Sequence, residues 1–227
     1  MNAQGKIGFC IGPGFERKDD TAVFEKLKEL GTPPLADGLN KFNVVDPGIK
    51  PIVSNIKMAG RAVTVRMRPG DNLMLHKVSD YLEEGDVLVV DTCGCTTYCV
   101  LGDLIVHTLF KKNIAGIIVD GGIRDVVELR EERFPVFARF FTPAVGDKDG
   151  PGEINRPVCC GGVPVLPGDY ICGDDNGIVV IPQDMLEEVI AGAEKKLRGE
   201  AARRKQIEDG ILVKPEVEEY LKAKGVI

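Results

Sequence analysis

The strongest constraint on the fold of this chain is a pair of continuous apolar runs close together in the sequence. Asp86–Asp91 and Ala115–Asp120 are rich in Val and Ile and are bounded by Gly or polar residues. Such runs are typical of strands buried on both faces of a sheet. Between them, Val100–Asn113 carries apolar residues at helical spacing, which favours a helix. This succession over about thirty residues predicts a βαβ unit with two parallel strands.

The remaining segments surround this unit with further strands and end in helices. Arg61–Arg66 alternates and is rich in β-branched residues, which is typical of a strand. A turn at Asp174–Gly177 between two apolar runs predicts a hairpin. The apolar spacing predicts a long helix over Gln183–Asp209 and a short one from Pro215 to about Gly225.

We therefore expect an α/β fold with one main domain and a helical arm. A length of 227 residues suits one domain better than two. The expected domain spans residues 1–182, and the helical arm spans residues 183–227. The arm holds nine Lys or Arg and ten Asp or Glu. This balance suits an arm that lies on a partner subunit, and it equally suits a helical face in solvent.

Net charge and hydropathy argue against several classes of partner. The formal charge is -6 at pH 7, which argues against a binder of nucleic-acid backbones. No apolar run approaches the roughly 18 residues that cross a bilayer. The first twenty residues lack the basic and then apolar pattern of a secretory signal. We therefore expect no nucleic-acid partner, no membrane partner and a cytoplasmic protein.

The seven cysteines agree with a reducing compartment. Their number is odd, and Cys159 and Cys160 are adjacent, whereas a secreted scaffold usually has an even, spaced set. Cys93, Cys95 and Cys99 are close enough to suggest a metal site. Their spacing differs from that of zinc sites, and no histidine is nearby. Structural or small-residue roles are favoured over a thiolate metal site, and both remain open.

The best candidate for chemistry is the segment that follows the second buried strand. Asp120-Gly121-Gly122-Ile123-Arg124-Asp125 combines a tight turn with an arginine and a carboxylate. Ligands commonly bind at the carboxyl ends of parallel strands. Arg124 suits a carboxylate ligand, and Asp125 suits Mg²⁺ or Mn²⁺. The alternative is an Arg–Asp pair that only closes a turn.

Two further junctions add polar groups. Thr92–Thr97 follows the first buried strand, and Asp103 comes near the start of the next helix. Asp103 can assist an anion or metal site, or it can simply cap the helix. Pro69–Lys77 turns into another helix, with Asp71 or Asn72 as a plausible cap. His76 and Lys77 can face a site, but His76 is favoured as a helix-packing residue.

The chain resembles a known family in seven short segments that occur in order. These segments are Asp46–Pro51, Ala59–Val65, Pro69–Asn72, Gly85–Asp91, Gly116–Asp125, Phe134–Arg139 and Pro167–Asp169. Together they are similar to the RraA-like family, which joins 4-hydroxy-4-methyl-2-oxoglutarate aldolases with the regulator of ribonuclease activity A. The resemblance spans roughly residues 32–205.

The resemblance implies a β/β/α swivelling fold assembled as homotrimers or homohexamers, with sites between neighbouring subunits. It also implies a class II aldolase that uses a divalent metal cation, Mg²⁺ or Mn²⁺. Such enzymes cleave 4-hydroxy-4-methyl-2-oxoglutarate or 4-carboxy-4-hydroxy-2-oxoadipate to pyruvate, and many decarboxylate oxaloacetate. The small 2-oxo acid substrate would react through a metal-stabilised pyruvate enolate.

By the same resemblance, Asp125 matches the direct metal ligand. Arg124 matches the arginine that contacts substrate and balances developing charge, and Asp103 matches an acidic residue that holds a metal-bound water. The backbone from Gly102 to Leu104 matches the cradle of the pyruvyl carboxylate. Glu200 matches an acidic residue that reaches a neighbour's site through water. Arg124, Asp103 and Glu200 are therefore the candidate catalytic residues.

Two functions are favoured for a chain of this family, ahead of a third in which it is a structural protein that binds a ketoacid. The first is the metal-dependent lyase, and the second is a non-catalytic regulator of ribonuclease activity that works by protein contact. Together, Asp103, Arg124, Asp125 and Glu200 favour the enzyme, because a pure binder has no need of a carboxylate late in the arm. Thr92–Cys95 replaces the more Gly-rich stretch common in the family, so the substrate preference can differ.

Overall fold

A computed structural model describes residues 3–4 and 6–227. The described chain contains thirteen strands. They are β1 (Ala3–Gln4), β2 (Phe9–Ile11), β3 (Lys50–Pro51), β4 (Lys57–Met67), β5 (Asp86–Asp91), β6 (Cys99–Leu101), β7 (Gly116–Ile123), β8 (Val136–Phe141), β9 (Gly152–Ile154), β10 (Val158–Cys160), β11 (Val163–Val165), β12 (Tyr170–Asp174) and β13 (Gly177–Ile181).

Seven α-helices and two short 3-10 turns complete the described chain. The helices are α1 (Thr21–Leu30), α2 (Thr32–Gly38), α3 (Leu73–Val78), α4 (Asp103–Phe110), α5 (Val126–Glu132), α6 (Leu186–Glu208) and α7 (Pro215–Ala223). The 3-10 turns are Ser79–Tyr81 and Gln183–Met185. None of these helices is both long enough and apolar enough to cross a membrane.

A mixed sheet of eleven strands forms the centre of the fold. β4, β5, β7 and β8 lie side by side and run parallel. β5 and β7 pair from Val87 and Gly116 to Asp91 and Asp120. Since α4 lies between them in sequence, the predicted βαβ unit is confirmed.

The long strand β4 connects the parallel strands to antiparallel ones. Its other edge pairs with β12 over residues 57–61 and with β9 over residues 65–67. β12 and β13 form the hairpin predicted from the Asp174–Gly177 turn. The expected α/β fold with a parallel βαβ core and C-terminal helices is therefore confirmed.

The apolar runs of the sequence form the core because every residue of β5 is buried. The side chains of β4, β5, β7 and β8 form one large cluster. A second cluster lies between the β12–β13 hairpin and helices α1, α2 and α6. The burial of these apolar side chains makes the main favourable contribution to the free energy of folding.

One helix begins later than the sequence pattern predicts. The spacing indicates a helix from Val100, but Cys99–Leu101 forms strand β6 on the carboxyl end of β7, and α4 starts at Asp103. Leu104, expected on the buried stripe, is 77% exposed, whereas Val106 and Leu109 are buried. Strand pairing with β7 overrides the local helical pattern, which shifts the buried face of the helix.

The long helix α6 contacts the domain through its first half, as far as the ion pair of Lys196 with Asp37. Val189 and Ala193 are its buried residues. Gly38 and Gly192 let α2 and α6 approach closely, since a Cβ on Gly38 would lie 2.6 Å from the Val189 carbonyl oxygen. Beyond Ala193, the side chains of α6 lie outside the apolar clusters, as do the described side chains of α7. The division at residues 182 and 183 stays a prediction.

A buried ion pair fastens the segment before α1 to the sheet. Arg61 on β4 donates to Asp20 at 2.8 Å, and its guanidinium lies 4.2 Å from the centre of the Tyr170 ring. The Phe15 ring lies 5.3 Å away, so the guanidinium contacts two aromatic rings. Each of these two buried charges needs the other, since a buried ion without a partner strongly lowers the free energy of unfolding.

Candidate functional site

The candidate site is a cavity beside the carboxyl ends of β6 and β7. It has a volume of about 110 Å³ and is bounded by Gly102, Asp103, Leu104, Arg124 and Asp125. A neighbouring cavity of about 350 Å³ shares Arg124 and Asp125 and continues toward β8. The structure therefore brings together every candidate site residue except Glu200.

Asp125 adopts a backbone conformation that is unusual for a residue other than glycine. Its φ of 56° and ψ of 43° lie in the left-handed region. It stands at the N-cap of α5, but its side chain does not cap that helix. Instead, Oδ2 accepts a hydrogen bond from the backbone N–H of Asp103 at 3.1 Å. Backbone strain of this kind is concentrated at functional sites.

Gly102 is needed because the Asp125 carboxylate lies against the backbone at the start of α4. A Cβ at Gly102 would lie 2.4 Å from Asp125 Oδ2 and 3.1 Å from Arg124 Nε. The φ of Gly102 is -142°, which any residue can adopt. Glycine is therefore required for a steric reason, because the absence of a Cβ gives the Asp125 carboxylate access to the first N–H of α4.

Arg124 combines a fixed backbone with an accessible side chain. Its N–H donates to the Leu101 carbonyl at 3.0 Å, which links the end of β7 to the end of β6. The Nε atom lies 3.4 Å from Asp125 Oδ2, and the side chain is 41% exposed. The guanidinium is therefore held beside the carboxylate while keeping donors for a ligand.

Asp103 and Leu104 form the first turn of α4. Gly102 is the N-cap, so the alternative of Asp103 as the cap is not observed, and the Asp125 carboxylate accepts the first N–H instead. The first N–H groups of a helix have no acceptor within the helix and attract anions. This turn and Arg124 therefore give one wall of the cavity an affinity for a carboxylate.

The cavity is also bordered by residues that sequence reasoning did not select for the site. Asn72, His76 and Lys148 border the cavity. His76, which the sequence favours as a packing residue, is an exposed residue that borders the cavity. Partial desolvation by the surrounding protein and the nearby charge of Lys148 lower the pKa of His76. These three residues come from two segments far apart in sequence, so no spacing pattern could join them.

Asp71 holds these two segments together. It is 0% exposed, and its carboxylate accepts hydrogen bonds from the N–H groups of Leu73, Asp149 and Gly150, each at 2.8 Å. Burial alone would raise the pKa of Asp71, but these N–H groups hold it below its ordinary value. The carboxylate therefore positions the Asn72 and Lys148 segments around the cavity.

The cysteine cluster does not form a metal site in the part of the chain that the structure describes. Cys93 is exposed, while Cys95 and Cys99 are buried. Burial raises the pKa of the Cys99 thiol, which disfavours the thiolate that a metal needs. Among the described residues, no three His, Cys, Asp or Glu side chains form a group that could hold a metal.

The residues present fit a hard divalent cation better than zinc. Mg²⁺ keeps several waters and is commonly held by one or two carboxylates together with oxygen atoms of the substrate. Asp125 offers one carboxylate, placed between the Arg124 guanidinium and the first turn of α4. A tetrahedral zinc site would need more protein ligands than this cavity offers.

Glu200 lies away from this cavity. It is on α6, where Lys196 Nζ approaches its Oε1 at 3.7 Å. It borders a separate cavity of about 750 Å³, together with Asp37 and Lys214. Within one chain, the structure does not bring Glu200 to Arg124 and Asp125.

The fold and the site define an α/β protein with a carboxylate–arginine site at the ends of parallel strands. A family model described as RraA-like, Aldolase/RraA, matches residues 32–180. The chain belongs to this family, and the resemblance found in the sequence is confirmed.

Named relatives and solved structures agree with this assignment. A Halalkalibacterium halodurans protein, provisionally named 4-hydroxy-4-methyl-2-oxoglutarate aldolase, is 37% identical over 82% of this chain and 89% of its own. A Thermus thermophilus 4-hydroxy-4-methyl-2-oxoglutarate aldolase is 32% identical over 68% of this chain and 94% of its own. The structure of Streptomyces coelicolor RraAS2, described as an unusual member of the RNase ES inhibitor RraA family, superimposes with a TM-score of 0.75. It is 31% identical and covers 84% of this chain and 98% of its own.

Proposed function

We propose that this chain is a divalent-metal-dependent carbon–carbon lyase. It would cleave 4-hydroxy-4-methyl-2-oxoglutarate or 4-carboxy-4-hydroxy-2-oxoadipate to pyruvate and would also decarboxylate oxaloacetate. The observation that carries the proposal is Asp125, which leaves its own helix uncapped and instead bonds to the first N–H of α4 beside Arg124. A turn that served only to start α5 would use this carboxylate to cap α5.

The positive groups of the cavity suit the charges of such a substrate. The first turn of α4, from Gly102 to Leu104, would bind the carboxylate next to the 2-oxo group. Arg124 would balance the negative charge that develops on the 2-oxo oxygen when the C3–C4 bond breaks. Lys148 borders the same cavity and offers a cation for a second carboxylate. This arrangement favours 2-oxo acids that carry at least one further carboxylate.

Asp125 would hold the divalent cation, Mg²⁺ or Mn²⁺, with Asp103 close by. When bound, the cation supplies Lewis-acid polarisation of the 2-oxo group. The 4-hydroxyl proton would leave toward water that is held by Asp103 or by a neighbour's Glu200. No Schiff base is needed, and no lysine lies in the segments Thr92–Thr97 or Asp120–Asp125.

We further propose a homotrimer or homohexamer in which Glu200 serves a neighbouring subunit. Glu200 lies on the part of α6 that extends beyond the apolar clusters, and it borders a different cavity in its own chain. Leu104, Phe141 and Val145 are exposed apolar residues that border the two site cavities. Such surface suits coverage by another subunit. A cytoplasmic location remains our expectation, supported by seven free cysteines.

A second candidate function is regulation of ribonuclease activity by protein contact. The specific observation in its favour is the likeness to RraAS2, whose family is named for RNase ES inhibition. The two functions differ in their need for the site. A regulator would keep its function without Arg124 and Asp125, whereas the lyase would not.

The test is pyruvate release from 4-hydroxy-4-methyl-2-oxoglutarate and from oxaloacetate with Mg²⁺ or Mn²⁺. We expect EDTA to abolish both activities and added metal to restore them. Arg124→Ala removes the charge that stabilises the transition state, and Asp125→Asn removes the negative charge that binds the cation. We expect each change to lower kcat by about 10²-fold or more.

Asp80→Asn is the matched control, because Asp80 is an exposed carboxylate that pairs with Lys77 and borders neither site cavity. This variant is expected to keep full activity. Pyruvate release at background in the unaltered protein, with or without metal, would refute the lyase. Full activity of Asp125→Asn would refute the assignment of Asp125.

A further inference from the structure

One residue that borders the cavity carries a buried amide oxygen with no partner among the described residues. Asn72 is 3% exposed and borders the cavity of the candidate site. Its Nδ2 donates to the Val100 carbonyl at 3.1 Å, whereas Oδ1 has no hydrogen-bond partner among the described residues. Arg61 and Asn155 also have a buried atom without a partner in that part of the chain, but neither borders this cavity. Buried polar atoms are normally paired, so this one needs an explanation.

The orientation of the Asn72 amide is fixed. Rotating the amide by half a turn would place Oδ1 against the Val100 carbonyl, which is also an acceptor. The Asn72 backbone N–H donates to the Asp147 carbonyl at 2.9 Å, which holds the residue in place. Asn72 occupies the N-cap of α3, yet the Asp71 carboxylate accepts the N–H of Leu73 instead. The Asn72 oxygen is therefore a rigid acceptor with no structural task.

An acceptor of this kind requires a donor, and the proposed substrate has only one. At neutral pH, the carboxylates and the 2-oxo group accept hydrogen bonds, so the 4-hydroxyl group is the only donor. Its hydrogen must leave as a proton during cleavage, and an amide oxygen cannot retain a proton. A water molecule between the two groups meets both requirements, because it accepts the proton and donates a hydrogen bond to Oδ1.

We propose that Asn72 is a positioning residue for the water that takes the proton from the 4-hydroxyl group of the substrate. This inference rests on the proposed lyase function. The hydroxyl O–H bond breaks, its electron pair forms the new carbonyl at C4, and the C3–C4 pair stays with the pyruvyl fragment. The proton passes through the water to the carboxylate of Asp103, which borders the same cavity. The pyruvyl fragment then takes up one proton to give pyruvate.

This role separates the two proposed activities. Oxaloacetate has no 4-hydroxyl group and loses carbon dioxide, so its cleavage needs no proton acceptor at this position. Asn72 should therefore matter for the aldol substrate and not for oxaloacetate. A residue that only supported the fold would affect both reactions equally.

The experiment compares Asn72→Leu with Asn72→Asp in the full chain with Mg²⁺. Both variants lose the amide that donates to the Val100 carbonyl, but only the aspartate variant keeps an oxygen acceptor. For 4-hydroxy-4-methyl-2-oxoglutarate, we expect the leucine variant to lower kcat by about 10²-fold with little change in KM. The aspartate variant should stay within about tenfold of the unaltered protein. Both should keep oxaloacetate decarboxylation within about threefold, which is small beside the expected catalytic loss.

Three outcomes would overturn the inference. Equal losses with both substrates would show a structural role for Asn72 while leaving the lyase function intact. Equal losses of aldol cleavage in the leucine and aspartate variants would show that the lost bond to Val100 is responsible. If the unaltered protein released no metal-dependent pyruvate from either substrate, the lyase function would fail and this inference with it.

Discussion

Replacing Gly102 by alanine should lower the catalytic activity of the site much more than the stability of the fold. The new Cβ would lie 2.4 Å from Asp125 Oδ2, whereas ordinary contacts begin at 3.4 Å. The carboxylate must therefore move by about 1 Å, and displacements of that size can lower activity by about 10²-fold. We expect a loss of kcat of this order for pyruvate release, measured with saturating Mg²⁺.

The stability of this variant should change much less. Gly102 has a φ of -142°, so alanine meets no backbone strain. Crowding costs about 1–3 kcal/mol, and the smaller entropy of the unfolded chain offsets about 0.4–1 kcal/mol. The melting temperature should therefore fall by only a few degrees.

Gly173→Ala is the matched control because it introduces similar crowding away from the site. Its Cβ would lie 2.7 Å from Met58 Cε and 3.0 Å from Phe137 Cζ, both in the core. This variant should lose stability and keep its kcat. A Gly102→Ala protein with unaltered kcat would refute the steric argument, and so would equal losses of activity in both variants.

Two further predictions concern stability. Asp71→Asn should lower the free energy of unfolding at pH 7 by about 1–3 kcal/mol, since a buried charge-assisted acceptor is lost. Because the folded-state pKa of Asp71 lies below its ordinary 3.8, its contribution is present above about pH 4 and disappears as the pH falls. Urea unfolding across this range should show a weaker acid dependence in the variant, and an unchanged dependence would contradict the assignment. Arg61→Leu should lower the free energy of unfolding by about 3–5 kcal/mol, because it leaves Asp20 buried without its cation. In limited proteolysis, the segment before α1 should then be cut faster. The control Arg198→Leu, on the exposed part of α6, should leave the rate of cleavage unchanged.

The sequence predicts the parts of the fold that depend on local pattern. Asp86–Asp91 and Ala115–Asp120 are apolar runs long enough to identify buried strands, and the turn before Gly177 identifies a hairpin. The pattern fails at Val100, because β6 is only three residues long and exists by pairing with β7. That pairing is a tertiary interaction with no local signal.

The same distinction applies to the candidate site. Arg124 and Asp125 could be found because they follow a buried strand directly. Asn72 and Lys148 could not, because their loops meet only through tertiary contacts, which include the hydrogen bonds of the Asp71 carboxylate and that of the Asn72 N–H to Asp147. Nor could the sequence show that Asp125 leaves its own helix uncapped, since Asp at that position normally caps.

The separation of Glu200 from the cavity has a genetic consequence. In the proposed ring of identical subunits, where each α6 would serve the next site, every chain would belong to two sites at once. A chain carrying both Arg124→Ala and Glu200→Gln would silence its own site and that of a neighbour, and would act as a dominant inhibitor when co-expressed with the normal chain. The same two changes on separate chains would complement each other, because some sites would then assemble from two intact halves.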